Sequence, residues 1–260
     1  MSRTSLRSRV LITGVSSGIG RELTKQLVVE GDSVWGVARR KELLINLKKE
    51  LKGAKNLNLS CIDITSTHGW QDLLSLMRRK RFIPDVLIFN AGILENDYLT
   101  DGRIDINITK RIMETNYIAV LLGFSELIKF TKKRAKIVFI GSSLAFSGRG
   151  ESGVGYASSK AALNSAFESL HQRLGNKYDF KIVHFGPVKT DMVPFNHKVM
   201  FMQTPEQAAR AIIKAIYSEG HIFYFPWMLF LILHLIKILP SPLYLSVLDL
   251  LNALHKRNRK

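Results

Sequence analysis

Cysteine and proline are scarce in this chain of 260 residues. Cys61 is the only cysteine, and there are seven prolines. One thiol excludes both a disulfide framework and a zinc site built on cysteines, and no metal site is predicted. No Pro/Gly/Ser-rich linker, internal repeat or low-complexity tract divides the chain, so the length suits one α/β domain with a single core. Cys61 lies in the strand-like run 59–64, which favours a buried structural thiol over a reactive one.

Acidic residues are also few. The chain has 21 of them against 38 lysines and arginines, which gives a formal charge of +17. The basic residues form separate clusters at 78–81, 132–134 and 255–260, and none is interleaved with aromatics in a nucleic-acid reading motif. We therefore interpret the first two clusters as solvated faces and expect no nucleic-acid partner. The polar start, residues 1–9, is too short for a secretory signal.

Short β-type runs alternate with longer helical runs along the chain. Residues 18–30 and 41–51 have helical periodicity, and the predicted strands are residues 10–12, 33–38, 57–64, 86–89, 137–140, 181–185 and 221–225. Strands that alternate with helices indicate a parallel sheet covered on both faces, a doubly wound α/β fold. Ligands of such sheets bind at the carboxyl ends of the strands.

The loop after the first predicted strand is rich in glycine. It follows a strand, opens a helix and so offers backbone N–H groups to a phosphate. Glycines permit a tight turn and close approach of the backbone to a ligand. The sequence predicts a pyrophosphate site at Gly14, Ser16, Ser17, Gly18, Ile19 and Gly20.

Two arginines follow the second predicted strand. An acid at the end of this strand binds the ribose of NAD in dinucleotide folds, but Ala38 occupies that place. Arg39 and Arg40 come next, and a guanidinium can clamp a 2′-phosphate with two charge-assisted hydrogen bonds. These residues predict NADP(H) rather than NAD as the cofactor.

Further motifs follow in an order that resembles the short-chain dehydrogenase/reductase family, in its NADP-preferring form. The resemblance covers about residues 8–220 and implies a Rossmann-type fold. It rests on the glycine motif and on Asp63, Asn90-Ala91-Gly92, Asn116, the pair Ser142-Ser143, Tyr156, Lys160, and the loop Gly186-Pro187-Val188-Lys189-Thr190.

The resemblance also implies roles for these residues. Asp63 would bind the adenine amine, and Asn90, Ala91 and Gly92 would lie beside the cofactor. Asn116 would hold a water that links Lys160 to solvent. The loop residues that would contact the nicotinamide half are Pro187, Val188 and Thr190.

The chemistry of Tyr156 and Lys160 can be argued from the residues themselves. A free tyrosine has a pKa near 10, and a nearby ammonium favours the phenolate. Tyr156 and Lys160 are four residues apart and share one helix face, so we expect Lys160 to lower the pKa of Tyr156. The resemblance implies that Lys160 also reaches the cofactor ribose. The family pairs its tyrosine with a serine about 13 residues earlier, so the resemblance implies that Ser143 binds the substrate oxygen, with Ser142 as the rival.

The segment 190–203 is short and apolar for a substrate-binding insert. It contains Met192, Val193, Phe195, Met200, Phe201 and Met202. Methionines and aromatics form an adaptable apolar surface. We interpret the segment as a lid for a hydrophobic substrate, with ordinary packing as the alternative.

Residues 226–260 follow the catalytic region, which we place at 1–225. Residues 226–239 are almost wholly apolar, and residues 243–254 have an amphipathic pattern before the basic end 255–260. The first run is short for a bilayer span, so the tail favours a monotopic anchor on the cytoplasmic face of a membrane. The alternatives are a cover for the active site, a homodimer or homotetramer interface, and a true span.

The leading hypothesis is therefore an enzyme, an NADP(H)-dependent oxidoreductase that interconverts a lipophilic ketone or aldehyde and its alcohol. Family members with hydrophobic ends act on steroids, retinoids, ketosphinganines or fatty-acid-derived carbonyls, which is an implication of the resemblance alone. Two alternatives remain: a regulator that binds cofactor without turnover, and a membrane-attached interaction protein that uses the fold as a scaffold.

Overall fold

The computed structural model describes residues 7–147, 153–192 and 200–257. Within them a seven-stranded parallel sheet has the order β3-β2-β1-β4-β5-β6-β7. The order reverses between β1 and β4, which is where ligands of such sheets bind. The strands are β1 (Arg9–Thr13), β2 (Ser33–Ala38), β3 (Leu57–Cys61), β4 (Val86–Phe89), β5 (Lys136–Ser142), β6 (Asp179–Phe185) and β7 (Ile222–Phe225).

The helices cover both faces of this sheet. They are α1 (Gly18–Val29), α2 (Lys41–Glu50), α3 (Thr67–Arg79), α4 (Ile106–Met113), α5 (Ala119–Leu127), α6 (Val154–Leu174), α7 (Pro205–Tyr217), α8 (Trp227–Lys237) and α9 (Ser241–Arg257).

Two apolar clusters sandwich the sheet. Val10 and Ile12 of β1 face the cluster that contains α1 and α7, whereas Leu11 between them faces the cluster that contains α3, α5 and α6. Strands buried on both faces read as continuous apolar runs, which is how β1 and β4 appear in the sequence. The predicted doubly wound α/β fold is confirmed.

The third strand is shorter than predicted. It ends at Cys61 rather than at residue 64, and the Cys61 thiol is exposed and donates to the Arg39 carbonyl at 3.2 Å. The prediction of a buried thiol is therefore wrong. The reason is topological, because β3 is an edge strand and its last residue has no strand beyond it.

The long helical stretch before β5 contains a π turn. Residues Glu114–Ile118 form this turn between α4 and α5, and its Thr115 and Asn116 are buried. Such bulges occur often at functional sites. The turn places Asn116 beside the loop that follows β4.

Helix α8 packs beside the end of β7. Leu229, Phe230 and Leu233 are buried in a small cluster with Phe146, Phe201 and Tyr224. The opposite face of α8 leaves large apolar side chains exposed. No helix among the described residues is long and apolar enough to cross a bilayer.

The predicted lid is only partly described. Met192 and Met200 are exposed, Phe201 packs in the α8 cluster, and Val193 and Phe195 lie outside the described residues. The lid therefore stays a prediction.

Candidate active site

The loop between β1 and α1 is built around glycines that admit no side chain. Gly14 has φ of +77°, and a Cβ there would lie 2.7 Å from the Ala91 Cα. A Cβ on Gly20 would lie 2.3 Å from the Gly14 carbonyl oxygen. The loop packs so closely against the segment that follows β4 that no Cβ can be accommodated, and glycine is therefore required at both positions.

Asn90 fixes this contact with its side chain. Its Nδ2 donates to the carbonyl oxygens of Thr13 at 3.0 Å and Gly14 at 3.2 Å. The backbone N–H groups of Asn90 and Ala91 both donate to Thr13 Oγ1 at 3.1 Å. The glycine loop and the predicted segment of residues 90–92 thus form one structural unit.

The two arginines after β2 point to different partners. Arg40 donates to the hydroxyls of Ser16 at 2.8 Å and Ser17 at 2.6 Å, so it lies over the glycine loop. Arg39 instead lies 4.0 Å from the Asp63 carboxylate. The sequence could not separate the two arginines, and the geometry does.

The loop after β6 faces the glycine loop from the other side. A Cβ on Gly18 would lie 3.0 Å from the Thr190 Cγ2. Val188 forms an isolated bridge with Gln203, and Gln203 N donates to the Pro187 carbonyl at 2.9 Å. Pro187, Val188 and Thr190 are thereby held near the glycine loop, while Ile19 follows Gly18 in the first turn of α1.

Lys160 lies one helical turn after Tyr156 on α6 and is almost fully buried, with 5% of its surface exposed. Its Nζ donates to the Ile140 carbonyl at 2.9 Å and lies 5.8 Å from the centre of the Tyr156 ring. Burial lowers the pKa of Lys160 to about 8.

The pKa of Tyr156 differs from the sequence-based expectation. Burial raises it, and a hydrogen bond with the Ser142 side chain opposes the rise only in part. The pKa stays raised although the Lys160 ammonium, which donates to the Ile140 carbonyl, lies 5.8 Å from the centre of the Tyr156 ring. In the protein alone Tyr156 therefore holds its proton at neutral pH, and the expected lowering is wrong for this state.

Of the two serines, Ser142 is the one whose side chain lowers the pKa of Tyr156. β5 continues through Ser142, and Ser143 starts a short 3₁₀ turn beyond it. Ser142 Oγ also accepts from Leu144 N at 3.2 Å. The spacing of 13 residues favours Ser143, whose role stays a prediction, whereas the effect of the Ser142 side chain on the pKa of Tyr156 favours Ser142.

Asn116 is buried and its side chain is engaged with protein groups. Its Oδ1 accepts from Ile93 N at 2.8 Å, and its Nδ2 donates to the Ile93 carbonyl at 2.9 Å and to Ser159 Oγ at 3.1 Å. It thus connects the segment after β4 with α6. The predicted water relay is not part of these contacts and stays a prediction.

His184 lies beside this site in an aromatic environment. Its ring is 4.9 Å from that of Phe146 and stacks on Tyr224 at 5.4 Å. Burial lowers the pKa of His184 to about 4, with smaller effects from the Ser142 backbone, Lys160 and His234. A neutral imidazole so placed fits a structural role.

Asp97 is a site-forming residue that the sequence reasoning missed. It is fully buried, and its carboxylate accepts from the N–H groups of Val154 at 2.8 Å and Gly155 at 2.7 Å. These are the first residues of α6, the helix that carries Tyr156. The glycine at 153, which cannot cap a helix with a side chain, was the one available signal.

Comparison with known families agrees with this geometry. The model of the family described as short chain dehydrogenase matches residues 8–199, well over half of the chain. This protein belongs to the short-chain dehydrogenase family. By that membership it is an oxidoreductase.

The chain also resembles individual members of the family. It is 27% identical over 203 residues to an NADPH-dependent pterin aldehyde reductase of Arabidopsis thaliana, covering 76% of this chain and 82% of that one.

Two solved structures share the fold. A short chain dehydrogenase from Burkholderia cenocepacia J2315 in complex with NADP superposes with a TM-score of 0.76 at 23% identity, over 92% of this chain and 97% of that one. A short chain dehydrogenase/reductase from Burkholderia phymatum in complex with NAD gives 0.79 at 16%, over 89% and 93%. Likeness in fold is thus compatible with either cofactor.

Proposed function

We propose that this protein is an NADP(H)-dependent reductase of a lipophilic ketone or aldehyde, with Tyr156 as the proton donor. The observation that carries the proposal is the environment of Tyr156. Its side chain is half-buried, the Ser142 side chain lowers its pKa, and the buried Lys160 lies one turn away on the same helix. A hydroxyl that stays protonated at neutral pH suits the acid of a reduction.

The residues around the glycine loop fit NADP(H). The backbone at Gly14, Gly18 and Gly20 is closely packed and free of side chains, as a pyrophosphate cradle requires. Arg40, with the hydroxyls of Ser16 and Ser17, supplies a cation and hydroxyl donors where a 2′-phosphate is expected. β2 ends at Ala38, so no carboxylate follows there to repel it.

The remaining cofactor contacts are proposed on position. Asp63 would receive the adenine, with Arg39 beside it. Residues 90–92 and the loop residues Val188 and Thr190 flank the glycine loop. The nicotinamide supplies the hydride when it is bound; the protein supplies orientation and the proton.

The proton-delivery steps follow from the contacts of α6. Ser142 orients the Tyr156 hydroxyl and can donate to a substrate oxygen as its negative charge grows. The Lys160 ammonium lies close enough to favour the phenolate once Tyr156 has given up its proton. Asn116 keeps α6 in register with the segment after β4, and its relay role remains part of the proposal.

The lipophilic substrate is inferred from the apolar side chains near Ser142. Phe146 follows the serine pair by three residues and packs against Phe230 of α8 at 5.8 Å between ring centres. Phe201, at the end of the short insert, joins the same cluster. These side chains form an aromatic cluster close in sequence to Ser142, and such a surface suits an apolar substrate better than a polar one.

NADPH oxidation with a panel of lipophilic ketones and aldehydes tests the proposal. We expect turnover by the wild type and a loss of about 10³-fold in kcat for Tyr156→Phe, since the substitution removes only the hydroxyl. A Tyr156→Phe enzyme that keeps its full rate on a good substrate would refute the role of Tyr156.

Cofactor choice is tested by Arg40→Ala against Arg39→Ala. Arg40→Ala is expected to weaken NADPH binding about 10- to 100-fold while NADH binding changes little, because it loses a charge-assisted contact. Arg39→Ala is the matched control and is expected to affect both cofactors alike. Equal losses on both cofactors in Arg40→Ala would contradict the assignment.

We also propose that residues 226–260 attach the catalytic region, 1–225, to the cytoplasmic face of a membrane. The support is an exposed apolar surface on two consecutive helices, larger than isolated surface residues would form. Its exposed side chains are Trp227, Met228, Leu231, Ile232, Leu235, Ile238, Leu243, Leu245 and Leu250. The basic end of the sequence, 255–260, would favour anionic headgroups.

Substitutions on the outer face test this attachment better than truncation does. Removal of α8 would uncover Phe146 and Tyr224, which its inner face contacts. Leu231→Ser with Leu235→Ser is expected to abolish flotation with phosphatidylserine vesicles, while Val29→Ser with Ile45→Ser, exposed residues elsewhere, is not. A wild type that ignores vesicles and forms a dimer lost in Leu231→Ser/Leu235→Ser would identify an interface instead.

A further inference from the structure

The catalytic helix α6 begins without a cap of its own. Gly153 precedes it with φ of +76° and has no side chain to accept a hydrogen bond. The first N–H groups of a helix have no partner within the helix. Here the N–H groups of Val154 and Gly155 donate to Asp97, to Oδ1 at 2.8 Å and to Oδ2 at 2.7 Å. A residue from a distant loop therefore caps the helix that carries Tyr156.

The contact between Asp97 and α6 is close. A Cβ on Gly153 would lie 2.3 Å from Asp97 Oδ1, and one on Gly155 would lie 2.9 Å from Oδ2. The two glycines therefore let the carboxylate reach the backbone. No other residue type fits at Gly153 without moving either the helix or the carboxylate.

Asp97 is itself held from the opposite side. Thr109 Oγ1 of α4 donates to Oδ2 at 2.7 Å. The Asp97 carbonyl accepts from Asp105 N at 2.7 Å, and Tyr98 and Ile104 form an antiparallel bridge that closes a small hairpin. Burial on its own would raise the pKa of Asp97, but the hydrogen bonds from Thr109, Gly155 and Val154 hold it below its ordinary value.

We propose that Asp97 is a positioning residue, whose carboxylate fixes the first turn of α6 and thereby fixes the position of the Tyr156 hydroxyl. The inference rests on the proposed function, since it takes Tyr156 as the proton donor. Tyr156 is the third residue of α6, so it lies in the turn that Asp97 fixes. A displacement of about 1 Å at a reacting group can cost about 10²-fold in rate.

The test compares Asp97→Ala with Asp105→Ala. Asp105 caps α4 in the same way, with Oδ1 accepting from the N–H groups of Asn107 at 2.9 Å and Ile108 at 3.2 Å. No candidate catalytic residue lies on α4. Asp97→Ala is expected to lower kcat about 10- to 100-fold while KM and the Kd for NADPH stay within twofold. Asp105→Ala is expected to keep kcat, and equal kcat values in the two variants would overturn the proposal.

Asp97→Asn covers the case in which Asp97→Ala does not fold. It keeps the size of the side chain and one acceptor oxygen, so it retains one of the two contacts with α6. We expect an intermediate kcat and faster hydrogen exchange at the Val154 and Gly155 amides, which Asp105→Ala leaves unchanged. Unaltered exchange at both amides in Asp97→Asn would overturn the proposal.

The two failures can be told apart. Wild-type protein without carbonyl turnover, or an active Tyr156→Phe, would overturn the proposed function. A dead Tyr156→Phe beside a fully active Asp97→Ala would overturn only the role of Asp97. The exchange measurement needs no turnover and reports the Asp97 contact by itself.

Discussion

Two buried lysines lie at or in the sheet, Lys181 on β6 and Lys160 on α6 beside β5, and their surroundings differ. Lys181 on β6, fully buried, donates to the carbonyls of Ser218 at 2.7 Å and Gly220 at 2.8 Å and lies 3.3 Å from the Asp179 carboxylate. Lys160 on α6, almost as buried, has one hydrogen bond among the described residues, to Ile140.

This difference in surroundings indicates that Lys181 has a structural role, whereas Lys160 is suited to a role in the reaction. Lys181 has two carbonyls and a carboxylate around its ammonium, so it joins β6 to the end of α7. Lys160 has one neutral acceptor, and burial brings its pKa to about 8. A buried cation with spare donors is suited to bind a further group or to follow a change in charge nearby.

Lys160→Met should give the largest effect that this comparison predicts. We expect kcat to fall about 10³-fold, because Tyr156 loses the cation that favours its phenolate. Steady-state NADPH oxidation measures the loss. Lys181→Met is the control, and it should keep kcat within about threefold as long as it is folded at the assay temperature. A comparable loss of kcat in both variants would mean that Lys160, like Lys181, has only a structural role.

The two serines at the end of β5 allow a second comparison, between Ser142 and Ser143 as the partner of Tyr156. Ser142→Ala should lower kcat about 10²-fold, because it removes the partner of Tyr156. Ser143→Ala should change kcat less than fivefold. The kcat values of the two variants on one substrate decide between the contact and the 13-residue spacing, and the reverse order would restore Ser143.

Lys181→Met should act on stability instead of rate. It leaves Asp179 and two carbonyls without their cation, which should lower the free energy of unfolding by about 2–3 kcal/mol. Urea denaturation followed by circular dichroism measures it. A variant as stable as the wild type would show that the lysine contributes nothing net at that end.

The pH dependence tests the charge of Lys160 without any substitution. Lys160 is protonated below its pKa of about 8 and loses its charge as pH rises through that value. For reduction, kcat/KM should therefore be level up to about pH 8 and fall up to about tenfold per unit above it. A profile that stays level to pH 10 would contradict a role for the charged form in the free enzyme.

Much of the fold could be predicted from the sequence because its signals are local. Apolar runs at strand positions, the glycine loop and the Thr204-Pro205 start of α7 each follow from neighbouring residues, and in the structure α7 begins with a capping box of Thr204 and Gln207. The set of candidate residues could also be listed, since loops after parallel strands meet at one edge.

What could not be predicted depends on distances across the fold. Ser142 and Ser143 differ by one position, and only the point where β5 ends decides which contacts Tyr156. Arg39 and Arg40 are likewise adjacent in sequence, and only the structure shows that Arg39 lies near Asp63 whereas Arg40 contacts Ser16. Asp97 lies 57 residues before Val154, and no periodicity or motif links it to α6. The pKa of Tyr156 depends on burial, and the four-residue spacing from Lys160 gives no information on how buried the tyrosine is.

The exposed end of β3 has a practical consequence. Cys61 is the single thiol of the chain, it is accessible, and it lies next to the backbone of Arg39, close to the proposed adenine contact. One fluorophore can therefore be attached by maleimide chemistry without removing other cysteines. Its emission would follow cofactor binding directly, which makes affinity measurable before any substrate has been identified.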